Sequence, residues 1–298
     1  MSKVAILLAV YNGADYLVEQ VNSILAQTHS ELRLFIRDDG STDDTVRISK
    51  NLALSHEKVV LFKDDYGATG SAAGNFFRLL YGIDVSEFDF VFFADQDDIW
   101  APVKVEQALR VLADSGADCY SANLVSFDND SGSVAFIDKA QPQKKLDYLF
   151  QGASAGCTYC LSKRAVVLIR EKLKGFDGYR YLSHDWLVYA ICRSHGLKWT
   201  FDPGAYVFYR QHSSNVFGAK LGILGLLQRF SISRSGWYRN HILEIGQFLR
   251  GGKEEVQVIK SIEKLRFSDR IRLAASACAF RRKFRDAVFL GAFIVLFM

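Results

Sequence analysis

The chain has 298 residues, 37 basic against 33 acidic, for a formal net charge of +4, and 49% of it is apolar. That is enough apolar material for a sizeable core, and it excludes intrinsic disorder, collagen-like repeats and coiled coil. Five cysteines in a chain this long make no disulfide framework, and Met1-Ser-Lys runs directly into an apolar strand pattern, so the sequence reads as a protein of the reducing cytosol.

Val4–Val10 is a continuous apolar run, as in a strand covered on both faces. A helical pattern follows over 14–26, a second strand over 32–36 and a helix from about 44. A third strand covers 59–62, a third helix includes 75–81, and a fourth strand covers 90–93. Pro102 then sits near the start of another helix. Strands separated by helices of this length predict parallel βαβ units in an open α/β sheet with flanking helices. Beyond 115 the alternation loosens: a strand over 119–127, a turn cluster over 128–132, a helix over 162–173 and a short helix at His184–Ser194. Two short strands, 198–201 and 205–209, flank Asp202-Pro203-Gly204. After about 218 the patterns are all helical, with no internal repeat.

The charge is uneven. Residues 1–220 carry 23 basic and 27 acidic side chains, whereas 221–298 carry 14 and 6. The last twelve residues are uncharged and follow Arg281-Arg282-Lys283-Phe284-Arg285. Twelve helical residues reach about 18 Å, short of a hydrocarbon core of about 30 Å. Two uses fit such a tail: packing on the protein body or a second subunit, or lying on an anionic membrane surface. The expected division is therefore an α/β domain over 1–220 and a basic helical extension over 221–298. The arginines of the extension lack an aromatic platform, which argues against nucleic acid.

In an open parallel sheet, ligands bind at the carboxyl ends of the strands. Polar residues collect there: Tyr11-Asn12 after the first strand, Asp38-Asp39 after the second, Asp95 to Asp98 after the fourth. No glycine-rich phosphate loop of either common kind is present. Acidic strand ends repel a bare diphosphate but suit one bridged by a divalent cation, Mg²⁺ or Mn²⁺. Asp95 and Asp97 fall on one side of an extended segment, suited to gripping one ion. Strand-end aspartates also cap helices and form turns.

Residues 4–13, Gln27-Thr28, Ile36-Arg-Asp-Asp-Gly-Ser-Thr-Asp-Asp-Thr45 and Phe93-Ala-Asp-Gln-Asp-Asp-Ile-Trp100 closely resemble glycosyltransferase family 2 in order and spacing. The likeness covers about 3–215. It implies a GT-A fold and a nucleoside-diphosphate sugar donor. The Asp-Gln-Asp-Asp-Ile-Trp form and Tyr209-Arg-Gln-His-Ser-Ser-Asn215 look most like bacterial rhamnosyltransferases of surface-polysaccharide assembly.

Carried onto this sequence, the resemblance implies a donor site of Ala9, Tyr11, Asp39, Asn75, Asp95, Gln96 and Arg210. Tyr11 would line the base pocket and Asp39 accept the base's ring N–H. Ala9 stands where many members have proline, and Asn75 is either near the donor sugar or a helix N-cap. The implied metal ligands are Asp95, Asp97 and His212, with Asp98 supporting the loop. Inverting transfer needs a carboxylate to take the acceptor's proton, and Asp185 in Ser183-His184-Asp185-Trp186 matches it. Asp185 read alone is equally a capping residue. Cys157-Thr-Tyr-Cys160 lacks a second pair, so a zinc reading fails, and the small residues over 152–156 would leave room for an acceptor.

The expected activity is transfer of L-rhamnose from dTDP-rhamnose to a lipid-linked cell-surface glycan, on the inner face of the bacterial plasma membrane. Competing expectations are a UDP-hexose or UDP-N-acetylhexosamine transferase of the same family, a nucleotidyltransferase, and an inactive sugar-nucleotide-binding protein. The C-terminal helices would serve a membrane surface or a homo-oligomer.

Overall fold

A computed structural model describes residues 1–129, 131–178, 182–212 and 236–298. They form two compact units that interleave along the chain. Of the described residues, unit 1 holds those within 1–140, 154–185 and 197–212, and unit 2 holds 141–153, 186–196 and 236–298. The boundary expected at 220 lies outside the described residues, as do Ser213, Ser214 and Asn215.

Unit 1 is built on nine strands: β1 (Val4–Val10), β2 (Leu32–Asp38), β3 (Val59–Leu61), β4 (Phe90–Asp95), β5 (Ile99–Trp100), β6 (Cys119–Asp128), β7 (Val134–Ile137), β8 (Cys160–Ser162) and β9 (Trp199–Gln211). Their order is β3-β2-β1-β4-β8-β6-β9-β5, with β7 paired to β6. The first four are parallel and joined by α1 (Leu17–Leu25), α2 (Thr45–Ser55) and α3 (Ala72–Gly82). β1 and β4 are central, and helices cover both sheet faces, so their sequences are apolar without alternation.

Beyond β4 the sheet is mixed rather than parallel. β8 runs antiparallel between β4 and β6, β9 is parallel to β6, and β5 is antiparallel to β9. The two short strands expected around Asp202-Pro203-Gly204 are one strand, β9. Its ladder with β6 shifts register at Ala122/Asn123 and Asn123/Val125, and this irregularity accommodates Pro203, which has no N–H to donate. Asn123 takes up the slack by donating from Nδ2 to the Pro203 carbonyl at 2.8 Å. Helices α4 (Lys104–Ser115) and α5 (Lys163–Lys172) complete the unit, and α6 (His184–Ser194) begins in it with His184 and Asp185.

Unit 2 contains the rest of α6 and helices α7 (Trp237–Gly246), α8 (Lys253–Lys264), α9 (Phe267–Ala275), α10 (Ala277–Phe280) and α11 (Phe284–Phe297). Asp147, with no exposed surface, is its polar centre. Its carboxylate accepts from the Tyr189 hydroxyl at 3.0 Å, Arg193 at 3.2 Å and Arg282 at 3.4 Å. Two arginines answer the cost of burying that charge. Phe150 stacks on Phe280 with centroids 4.2 Å apart.

Candidate active site

The acid- and hydroxyl-rich run after β2 is a turn scaffold. Asp38 Oδ2 accepts from the N–H groups of Gly40 and Ser41, both at 3.0 Å. Ser41 Oγ accepts from Asn12 N–H and Thr45 Oγ1 from Gly13 N–H, each at 2.8 Å, and Asp43 accepts from Ala14 N–H at 3.1 Å. The loop after β1 is thereby laced to the loop after β2. Asn12 sits at φ +47, in the left-handed region. The Tyr11 side chain is left 55% exposed above it.

Asp39 is buried and saturated. Oδ1 accepts from Arg37 Nη1 at 2.8 Å and Thr69 N–H at 2.7 Å; Oδ2 accepts from Thr69 Oγ1 and Gly70 N–H, both at 2.9 Å. A carboxylate offers about four acceptor positions, so a nucleobase N–H reaches Asp39 only by displacing a donor of the 69–70 segment. Arg37 is the hub. It also grips Asp64 through Nε at 2.9 Å and the Gly67 carbonyl at 2.7 Å. Asn75 accepts from Arg37 Nη1 and donates to the carbonyls of Val10 and Arg37, each at about 3.2 Å. It ties β1 to β2, and the N-cap of α3 is Ser71 instead.

The second cluster lies at the end of β4. Asp95 pairs in register with Ala9 of β1, which places Ala9 beside the acids. Asp95 is pushed up to about 7, first by burial and then by the negative charges of Asp97 and Asp185. Asp98 is buried and also raised well above the usual carboxylate range, by burial and by Asp95 and Asp97. Ligand atoms of Asp95, Asp98 and Cys157 all lie within 4.8 Å of one another. Burial raises the Cys157 thiol, so it serves the acids as a hydrogen-bond donor. Half of the CxxC pair therefore belongs to the acid cluster, a placement that the motif did not announce.

His212 Nε2 lies 2.7 Å from Asp97 Oδ2, so the structure brings Asp97 and His212 together. Arg210 is committed to holding this loop. Its Nε donates to the Asp97 carbonyl at 3.0 Å, its Nη2 pairs with Glu19, and its guanidinium lies over the rings of Tyr16 and Phe127. Gln96 is likewise committed, through its amide, to the Tyr11 main chain. Asp185 stands in the first turn of α6, hydrogen-bonded by Ser183, close enough for its charge to act on Asp95. Two carboxylates and an imidazole are ligand types that suit a hard divalent cation, while the residues whose ligand atoms already lie together, among those described, are Asp95, Asp98 and Cys157. Without a counter-charge, the charges of Asp97 and Asp185 oppose the ionisation of Asp95.

Residues 5–198 match the family described as Glycosyl transferase family 2. The chain belongs to that family. Over 294 residues it is 32% identical to the dTDP-rhamnosyl transferase RfbG of Shigella flexneri, covering 97% of this chain and 99% of that one. Among solved structures it resembles S. aureus TarS in complex with UDP-GlcNAc (TM-score 0.60, 14% identity, 97% of this chain and 79% of that one). It also resembles a mannosyltransferase from Pyrobaculum calidifontis in complex with GDP-Man and Mn²⁺ (TM-score 0.58, 16% identity, 99% and 85%). These two likenesses show the fold.

Several residues that position this glycosyltransferase's site carry weak sequence signals. Gln20, fully buried in α1, donates to the Asp95 carbonyl at 2.8 Å, and Gln27 bridges the Ala101 carbonyl and Val105 N–H at 2.8 and 3.0 Å. Polar residues on the inner face of an apolar helix were the available clue. Lys104 is buried over the Trp100 ring at 3.3 Å, and burial pulls its ammonium down to about 7. His184 stacks on Phe76 at 4.3 Å and fills the space left by Gly156, where an added Cβ would come within 2.4 Å of Nε2.

Proposed function

We propose that the protein transfers L-rhamnose from dTDP-rhamnose to a lipid-linked surface glycan with inversion. The reading rests on one observation: Asp95, Asp97, His212 and Asp185 gather at the carboxyl end of β4 in unit 1. A relative 32% identical along nearly the whole chain, described as a dTDP-rhamnosyl transferase, supports the donor.

In this reading the exposed Tyr11 ring stacks on the base, and the segment bearing Thr69 and Gly70 yields Asp39 to the base N–H. Asp185 accepts the proton of the acceptor hydroxyl as its oxygen bonds to the anomeric carbon, and the bond from that carbon to the diphosphate breaks on the opposite side. Ser183 orients the carboxylate that takes the proton. Arg210 and Gln96 act at one remove, by fixing the loops that carry Asp97 and Tyr11. Asp95, Asp97 and His212 would hold a divalent cation, which supplies positive charge against the departing diphosphate.

The test is incubation of the purified protein with dTDP-rhamnose, or with UDP-glucose and UDP-GlcNAc, in the presence and absence of Mn²⁺ or Mg²⁺. Release of dTDP from dTDP-rhamnose alone, dependent on the cation, is the expected result. Release only from a UDP-sugar reassigns the donor, and release undiminished by chelation removes the metal.

A further inference from the structure

From Ala287 onward, helix α11 is apolar on all sides but covered on only one. Ala287, Leu290 and Ile294 are buried, whereas Val288, Phe289 and Leu296 are 56%, 56% and 66% exposed. With Arg285 and Ala292 they form a single stripe at spacings of three and four residues. Helix α9 adds Phe267 and Ile271, 74% and 46% exposed. The two helices approach closely at Gly291, where an added Cβ would lie 3.4 Å from the Ala274 carbonyl. Between them runs an apolar groove of about 430 Å³, floored by Ala274, Ala277 and Gly291 and walled by Val288 and Leu296. A continuous apolar face of this kind on a soluble surface marks a docking site.

Its rim is cationic. Residues 264–286 contain eight basic side chains, of which Arg282 is buried against Asp147, and two acidic ones, the buried Asp269 and the half-buried Asp286. Arg266, Arg272 and Arg285 are exposed beside the stripe. We propose that this face of unit 2 docks on an anionic lipid surface. Helix α11, at 14 residues, reaches about 21 Å and cannot span a bilayer. Among the described residues no helix is long and apolar enough to cross a membrane. An apolar stripe with an arginine rim suits the plane between headgroups and acyl chains. A second copy docked symmetrically through this face would set the same exposed arginines against one another. This docking needs no sugar donor, so it stands or falls apart from the transfer chemistry.

The test is co-sedimentation of the full-length protein, at low salt, with vesicles of phosphatidylcholine alone or mixed equally with phosphatidylglycerol. Wild type is expected to bind the mixed vesicles at least 10-fold more tightly, with affinity falling as salt rises. Phe289→Glu with Leu296→Glu, and separately Arg272→Glu with Arg285→Glu, should each reduce binding at least 10-fold while nucleotide affinity stays unchanged. Equal binding to both vesicle types, or charge-reversed protein that binds as wild type does, overturns the proposal. So does a wild-type dimer in light scattering that fails to bind vesicles and that Phe289→Glu with Leu296→Glu dissociates. Should that apolar pair misfold, the arginine pair, at exposed positions, decides alone.

Discussion

Gln96 and Tyr11 exchange two hydrogen bonds. Tyr11 N–H donates to Gln96 Oε1 at 2.8 Å, and Gln96 Nε2 donates to the Tyr11 carbonyl at 2.9 Å. The side-chain amide thus acts as an extra stretch of backbone, joining the loop after β1 to the loop between Asp95 and Asp97. Gly13 completes the fit, since a Cβ there would lie 2.3 Å from Gln96 Oε1. Gln96→Leu removes both bonds at similar volume and lets the Tyr11 loop move. Nucleotide affinity should fall by about 10-fold, equivalent to about 1.4 kcal/mol. Titration calorimetry with dTDP measures it; unchanged affinity would show that the loop holds its place without Gln96.

Asp39 offers a sharper contrast. In Asp39→Asn one oxygen becomes an NH₂ group that meets N–H or O–H donors from Arg37, Thr69 or Gly70. Stability should fall by about 1–3 kcal/mol, because buried donors lose their acceptor, and nucleotide binding should be lost with it. Thr69→Val removes the hydroxyl bond to Oδ2, together with the hydroxyl's contacts to the Ser71 main chain, and leaves the other three donors to Asp39 in place. It should cost about 1 kcal/mol of stability yet leave nucleotide affinity equal or tighter, since one acceptor position opens for the base. Denaturant titration and dTDP binding, run on both variants, separate the two effects.

The strands that the sequence displays plainly are the ones whose burial is symmetric. β1 reads from its apolar run with the same ends that the structure has, and β4 is nearly as clear. β5, β7 and β8 are two to four residues long, too short for a period to emerge. The acids of the site are legible because a charge at a strand end has few uses, yet their division of labour is not. Asp38 and Asp43 build turns, Asp39 is consumed by its neighbours, Asp95 and Asp98 cluster with Cys157, and Asp97 meets His212. Arg37 and Lys104 were invisible because a charged residue in a strand or helix pattern reads as solvent-facing. Only the folded chain shows that Arg37 is enclosed by Asp39, Asp64 and Asn75.

Asp185→Asn tests the chemistry. The amide cannot accept the hydroxyl proton, so transfer should drop by about 10²–10⁴-fold. Ser183 can still donate to the remaining carbonyl oxygen, so the first turn of α6 should keep its geometry and nucleotide affinity should change less than threefold. Product formation and dTDP binding are read on the same preparation. Loss of both together would make Asp185 a structural residue of the helix start.

Lys104 predicts a pH dependence of stability. It is buried against Trp100 and Phe92, its Nζ finds no hydrogen-bond partner among the described residues, and burial pulls its pKa from 10.5 to about 7. Between those values the unfolded chain holds a proton on Lys104 that the folded chain has released. The extra proton favours the unfolded state, so this side chain makes stability rise with pH across that window, by up to about 1.4 kcal/mol per pH unit. Below about pH 7 both states are protonated and the full cost of burying the ammonium is present. Lys104→Met keeps the chain length and apolar contacts but removes the titration. The variant should therefore exceed wild type in stability near pH 7, with the gap narrowing as pH approaches 10. Urea denaturation of both proteins from pH 6.5 to 9.5 measures that gap. Parallel curves would mean that the ammonium keeps its charge in the folded protein, held there by Asp98.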